Sequence, residues 1–359
     1  MANESLQSSP PSPLRRLLRL LGTESRDIGY VYLYAIVAGL ISLSLPLGVQ
    51  AVFNLVQGGM VFSSVYVLIG LVLIGVLISG LLEISQQGLV EVLQQRIFAK
   101  AAFEFTYRLP RIQPDALAGT HPPELMNRFF DVLTIQKGLP KLLIDLTAAV
   151  IQILFGILLL SFYHPVFIAF GLFTLVSVGL IILLNGPKGL KTSIYESKYK
   201  YKLVAWLEDV AARLSYFRRP EHTDEPMEHT DDYVAHYIDY RTQHFRVLKR
   251  MWYNTLAFKL LITGGLLIIG TGLVVSRQMT IGQFVAAELV IVLITSAVDK
   301  LSTSIETVFD LLTAVEKLGN VTDLPLDDNG PADVPIRPVV PPEDLTNVPR
   351  STTPQLTTH

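Results

Sequence analysis

The chain has 359 residues, of which 50% are hydrophobic and 17% charged, and its mean hydropathy is +0.43. That balance excludes an ordinary soluble globular protein and points to an integral membrane chain. With no cysteine, disulfides, thiol nucleophiles and Cys-ligated metals are excluded as well, and the net charge of -2 becomes informative only when it is divided by region.

The N-terminal stretch PSPLRRLLRLLG alternates Arg15, Arg16 and Arg19 with leucines, the pattern of an amphipathic helix lying in a membrane interface; a solvated basic tail is the alternative. Six stretches then reach the roughly 20 apolar residues that cross a hydrocarbon core: Val31 to Phe53, Tyr66 to Gln87, Leu142 to Phe162, Val166 to Leu184, Tyr253 to Val275 and Ile281 to Val298. The first is too long for a signal-peptide core and lacks a small-residue cleavage site. Pro46 is expected to kink it.

Between Val61 and Leu109 there is no proline, so the second span predicts one helix of about 70 Å, more than twice the hydrocarbon thickness. The fourth continues past a Gly186-Pro187 bend, and the fifth is preceded by a proline-free amphipathic stretch. Two helical hairpins therefore leave the membrane, each reversing in a segment rich in proline, glycine and acidic residues. The short turns after spans one, three and five carry only Arg277 as a basic residue. By the positive-inside rule those turns face outward and both termini are cytoplasmic, in a cell (inner) membrane.

Ionisable and amide groups within spans are candidate sites because each is costly in lipid. Glu288 lies seven residues into the sixth span, about 10 Å from its end. Gln50, Asn54, Gln152 and Gln283 are expected at comparable depth, as a polar translocation cavity or as hydrogen-bonding contacts between helices. Glu83, Asp145, Lys259 and Asp299 sit near the inner span ends and need no more than interfacial placement or pairing. His222, His229, His236 and His244 recur at seven or eight residues, about 10 Å apart on one stripe, too far to share a metal; a solvated or packing face is expected. GPKGLKTS at Gly186 to Ser193 is not a phosphate loop, because Leu190 separates Gly189 from Lys191 and a span, not a strand, precedes it. Lys188 and Lys191 are read as snorkelling to the interface.

The six spans and two inward hairpins, with RLPRIQPDALAGTHPPELMNRFFDVLTIQKGL after span two, SFYHPVFIAF into span four and MTIGQFVAAELVIVLITSAVDKL in span six, resemble the transmembrane domain of an ATP-binding-cassette exporter. The likeness covers about Ile28 to Asn320 and is nearest to half-transporters of toxin and peptide secretion. It implies an all-α, type I exporter domain over 28–319 that pairs as a homodimer or heterodimer, with an elbow helix in 1–27. It also implies coupling segments at the hairpin tips that press on an ATPase: Pro114, Asp115, Ala116, Leu117, Ala118 and Gly119 in the first, and Arg213, Leu214, Ser215, Tyr216, Phe217 and Arg218 in the second.

In that family a nucleotide-binding domain usually follows the sixth span. Here the helix is expected to stop at Gly319, and residues 320–359, rich in Pro, Asp, Asn and Thr, contain no phosphate loop and are expected to be disordered. The chain is thus expected to be no enzyme on its own and to hold no cofactor, with ATP and Mg on a partner ATPase or complete half-transporter, membrane lipid around it and no nucleic-acid partner. The expected function is that of an exporter's permease subunit, with peptide or protein as the favoured substrate. A non-transporting scaffold that retains the exporter fold is the alternative.

Overall fold

The computed structural model describes residues 12–59, 62–117 and 122–327. Among them six helical segments are long and apolar enough to cross a membrane, and each contains one of the six stretches read from the sequence.

The chain enters through a short helix, α1 (Pro13–Gly22). The first span is two helices, α2 (Ser25–Ser42) and α3 (Ser44–Gln57), separated at Leu43. Pro46 explains the position of the break: it has no N–H to offer the Ser42 carbonyl four residues back, and its ring crowds that carbonyl. The second span is α4 (Phe62–Arg108), 47 residues without interruption, about 70 Å long. After the first tip, α5 (Pro122–Asn127) and α6 (Asp131–Pro140) lead through a π-helical stretch (Lys141–Leu146) into α7 (Thr147–Tyr163).

The second hairpin is built from α8 (Val166–Ala212) and α10 (Glu225–Val275), joined by α9 (Leu214–Phe217) and a 3-10 turn at Pro220–His222. The helix α8 is continuous through Pro187. Beyond the membrane, α8 and α10 are held by stacked rings: Tyr195 on Tyr240 at 5.2 Å, Tyr240 on Tyr199 at 5.3 Å, and Tyr199 on His236 at 4.9 Å. The four histidines do not form one stripe: His222 lies in the turn before α10, stacked on Tyr216, His229 and His236 are exposed beside Trp206 and Tyr199, and only His244 is buried, against Phe309.

The last helix, α11 (Ile281–Thr322), is the axis of the fold. Half of its most apolar window is buried, against 6% for the second span, whose leucines and isoleucines are left exposed. Gly189 of α8 lets α11 come close, since a methyl there would lie 2.3 Å from the Phe309 ring. Among the described residues there are two cores. One lies among the spans, where Phe167, Ile262, Leu266, Ile291 and Ile294 meet. The other lies beyond them, where α1, α4, α6 and the end of α11 bury Leu17, Leu93, Phe105, Ile135 and Val315. The first hairpin is therefore held to α1 and α11 by a core of its own.

Two expectations at the C-terminal end are corrected. The helix does not stop at Gly319 but runs on to Thr322. Residues 320–327 are not disordered: Leu326 forms an antiparallel bridge with Ile112, Gln113 N–H donates to Pro325 O at 3.1 Å, and Asp327 N–H donates to Arg111 O at 2.7 Å. Gly319 is needed for a different reason. The Arg16 guanidinium lies over it, 1.9 Å from where a Cβ would stand. Arg16 is 8% exposed, donates from Nη1 to Glu316 O at 2.9 Å, and pairs through Nη2 with Asp323 at 2.8 Å. It is a buried latch from α1 to α11 and not part of an interfacial basic stripe.

Candidate functional site

At the end of the spans away from the termini, α3 and α11 meet where Gly282 has no side chain. A methyl on it would sit 2.5 Å from Asn54 Oδ1 and 2.9 Å from the Gln50 carbonyl. From this level Gln50 lies four residues along α3 and Glu288 six along α11, so both sit about 6 to 9 Å deeper. Gln50 Oε1 and Glu288 Oε2 are buried without a hydrogen-bond partner, a costly state that a polar group or water placed between them would relieve. Gln283 does other work. It closes a capping box, accepting from Thr280 N–H at 2.9 Å while its own N–H donates to Thr280 Oγ1 at 3.1 Å. Asn54 also borders a 490 Å³ groove between α3 and α4.

Gln152 belongs to a separate cavity nearer the terminal side. This one has a volume of 250 Å³, lies among α2, α4, α7 and α11, and is lined by Glu83, Gln87, Asp145, Gln152 and Lys300. Small residues, Ala35, Ala38 and Gly39, make the room on α2. Gln86, also on its wall, is 2% exposed and donates to the Val31 carbonyl at 2.9 Å, fixing α4 to α2. The π-helical stretch carries Asp145, which pairs with Lys141 at 2.8 Å; the wider turn is a departure common at working sites in helices. Lys259 and Asp299, expected to be interfacial or paired, form an ion pair with each other at 2.5 Å. The sequence reading missed Lys300 and Gln86 because contact between helices far apart in the chain leaves no mark on spacing within either.

At the first tip, Pro114–Leu117 is a 3-10 turn; Pro114 and Asp115 are exposed, Ala116 is half-buried, and Ala118 and Gly119 lie outside the described residues. At the second, Arg213, Leu214, Ser215 and Arg218 are exposed. Tyr216 is half-buried, and Phe217 is buried edge-on against Trp206 at 5.8 Å, so it holds the tip together while its neighbours present the surface. Asn127 of α5 donates a hydrogen bond to Glu208 of α8, joining the two hairpins near their tips.

A buried charge sits where the hairpins and α11 converge. Asp131 is 7% exposed. Burial pushes its carboxyl above the usual carboxylate range, and Tyr201, Lys200, Lys317 and Arg128 partly offset this. Lys317 is shifted down, first by burial and then by Arg128. Among the described residues no cluster of three or more His, Cys, Asp or Glu could hold a metal ion.

No model of a known protein family matches the chain. A search of curated proteins likewise returns no match.

Proposed function

We propose that the chain is the membrane-spanning permease part of an exporter driven by ATP hydrolysis on a nucleotide-binding ATPase outside these 359 residues, acting as a dimer and moving a peptide or protein. The observation that carries this reading is the pair of long helical hairpins, projecting on the side of the termini and ending in short exposed turns joined through Asn127 and Glu208. Helices of about 70 Å are stiff levers, so force applied at the tips reaches the spans. The bridge of Ile112 with Leu326 ties the first tip to the exit of α11, the helix that borders both polar regions. Closing the tips together would shift α11 against α3 and α7. The charged cavity around Lys300 and the unpartnered oxygens of Gln50 and Glu288 would then be exposed in turn to the two sides.

The chain purified in mild detergent from its native membranes is expected to carry ATP turnover contributed by a co-purifying phosphate-loop protein. Arg218→Glu, on the exposed second tip, should remove that turnover without lowering the thermal stability of the chain. Robust hydrolysis by the homogeneous chain, or turnover indifferent to Arg218→Glu, would overturn the proposal.

A further inference from the structure

Several basic residues near the span ends on the terminal side have a carboxylate: Arg16 with Asp323, Arg96 with Glu24 and Asp27, Lys141 with Asp145, Lys259 with Asp299. Four that do not are gathered in one place. Lys188 and Lys191 of α8 and Arg246 and Arg250 of α10 line one cavity of 580 Å³, no acidic residue lines it with them, and none of the four has an acidic partner among the described residues. Thr192 also lines it, backed by the buried His244 at 3.0 Å, and the stacked pair Tyr195 and Tyr240 closes the end farther from the membrane. Four unpaired cations facing one space repel each other unless an anion lies between them.

Depth identifies the anion. Counting from Leu184 at the end of the fourth span and Tyr253 at the start of the fifth, the four cations lie roughly 5 to 10 Å outside the hydrocarbon, in the layer of lipid phosphates. The same helix stripe that carries Lys188 and Lys191 carries Leu184 one turn nearer the membrane, 63% exposed. On α10, Tyr253 stands 60% exposed one turn from Arg250, as an aromatic anchor does at an interface. Apolar surface above and a basic cavity below fit an acyl chain and its phosphate.

We infer that this cavity is a binding site for the phosphate of an anionic phospholipid in the leaflet on the terminal side. The inference does not depend on what the protein transports. Basic pockets between spans hold anionic headgroups through charge, at about 1 kcal/mol per Lys or Arg, or about fivefold in affinity for each.

The test is native mass spectrometry of the full chain from nanodiscs of phosphatidylcholine with phosphatidylglycerol, counting phosphatidylglycerol retained. The wild type should retain it in preference to phosphatidylcholine. Arg250→Gln should weaken retention about fivefold, and Lys188→Gln with Arg250→Gln roughly 25-fold. Lys188→Arg with Lys191→Arg, which keeps the charge, should retain the preference. Equal retention of the two lipids, or a preference unchanged by Lys188→Gln with Arg250→Gln, overturns the inference. So does displacement of phosphatidylglycerol by millimolar inorganic phosphate, because the site would then take a soluble anion.

Discussion

Replacing Arg16 by alanine tests how the first helix is held to the last. Arg16 is 8% exposed and makes contacts at 2.9 Å to Glu316 O, 2.8 Å to Asp323 and 3.5 Å to the Glu316 carboxylate. Each charged hydrogen bond contributes about 1.5 to 3 kcal/mol. The side chain of Asp323 is 43% exposed and that of Glu316 25%, so water takes back part of the loss and the net cost is about 2 kcal/mol. Leu17 remains packed at 3% exposure, so α1 should loosen without detaching. Amide hydrogen exchange of 17–22 in nanodiscs reads that local opening directly, and protection should fall about 30-fold. Gly319→Ala sharpens the argument, because alanine favours a helix over glycine by up to about 1 kcal/mol. Its Cβ would nevertheless stand 1.9 Å from Arg16 Nη1, and displacing the guanidinium should lower protection of α1 as well. Unchanged protection in both variants would refute the latch.

Other outcomes follow from the same structure. Burial raises the folded Asp131 carboxyl above its ordinary value of 3.8, so its contribution to stability is present below that value and is lost as pH rises through the raised one. Asp131→Asn should therefore melt higher than the wild type at neutral pH, with the gap closing in acid; a gap independent of pH contradicts this. Lys259→Ala leaves Asp299, 43% exposed, without its partner and should cost up to about 1 kcal/mol, while the exchange Lys259→Asp with Asp299→Lys should restore most of it in denaturation of the reconstituted chain. Thr280→Ala opens the capping box of α11 and should cost about 1 kcal/mol, and a loss no larger than that of an exposed threonine elsewhere would deny the cap its role.

Much of the fold was legible because a membrane demands runs of about 20 apolar residues, and because a long stretch without proline permits an uninterrupted helix, although α8 stays helical even through Pro187. The six spans and the two projecting hairpins follow from those facts. The break at Leu43 lay three residues before the proline that causes it, because proline disturbs the carbonyl four positions earlier. Gly319 was misread because glycine serves equally as a helix stop and as a place of close approach; only Arg16, some 300 residues away, distinguishes the two. The box formed by Thr280 and Gln283 was readable from spacing alone, yet an amide at a span end invited a cavity reading. The polar cavity around Lys300 was not legible: Glu83 and Asp145 need only interfacial placement or pairing in the sequence, and Gln152 is expected at the depth of Gln50, whereas packing brings the three together. Lys300 and Gln86 join it through helix packing that the linear pattern does not record. Lys188 and Lys191 read as isolated snorkelling residues until α10 placed Arg246 and Arg250 across from them.

The central claim concerns what touches the hairpin tips. A photoreactive amino acid at Leu214, 54% exposed on the second tip, should on illumination of native membranes form an adduct containing a phosphate-loop ATPase identified by mass spectrometry. The same group at Val275, 78% exposed at the opposite end of α10, should not. An adduct profile from Leu214 without any such ATPase, in membranes where the chain is correctly inserted, would contradict the account.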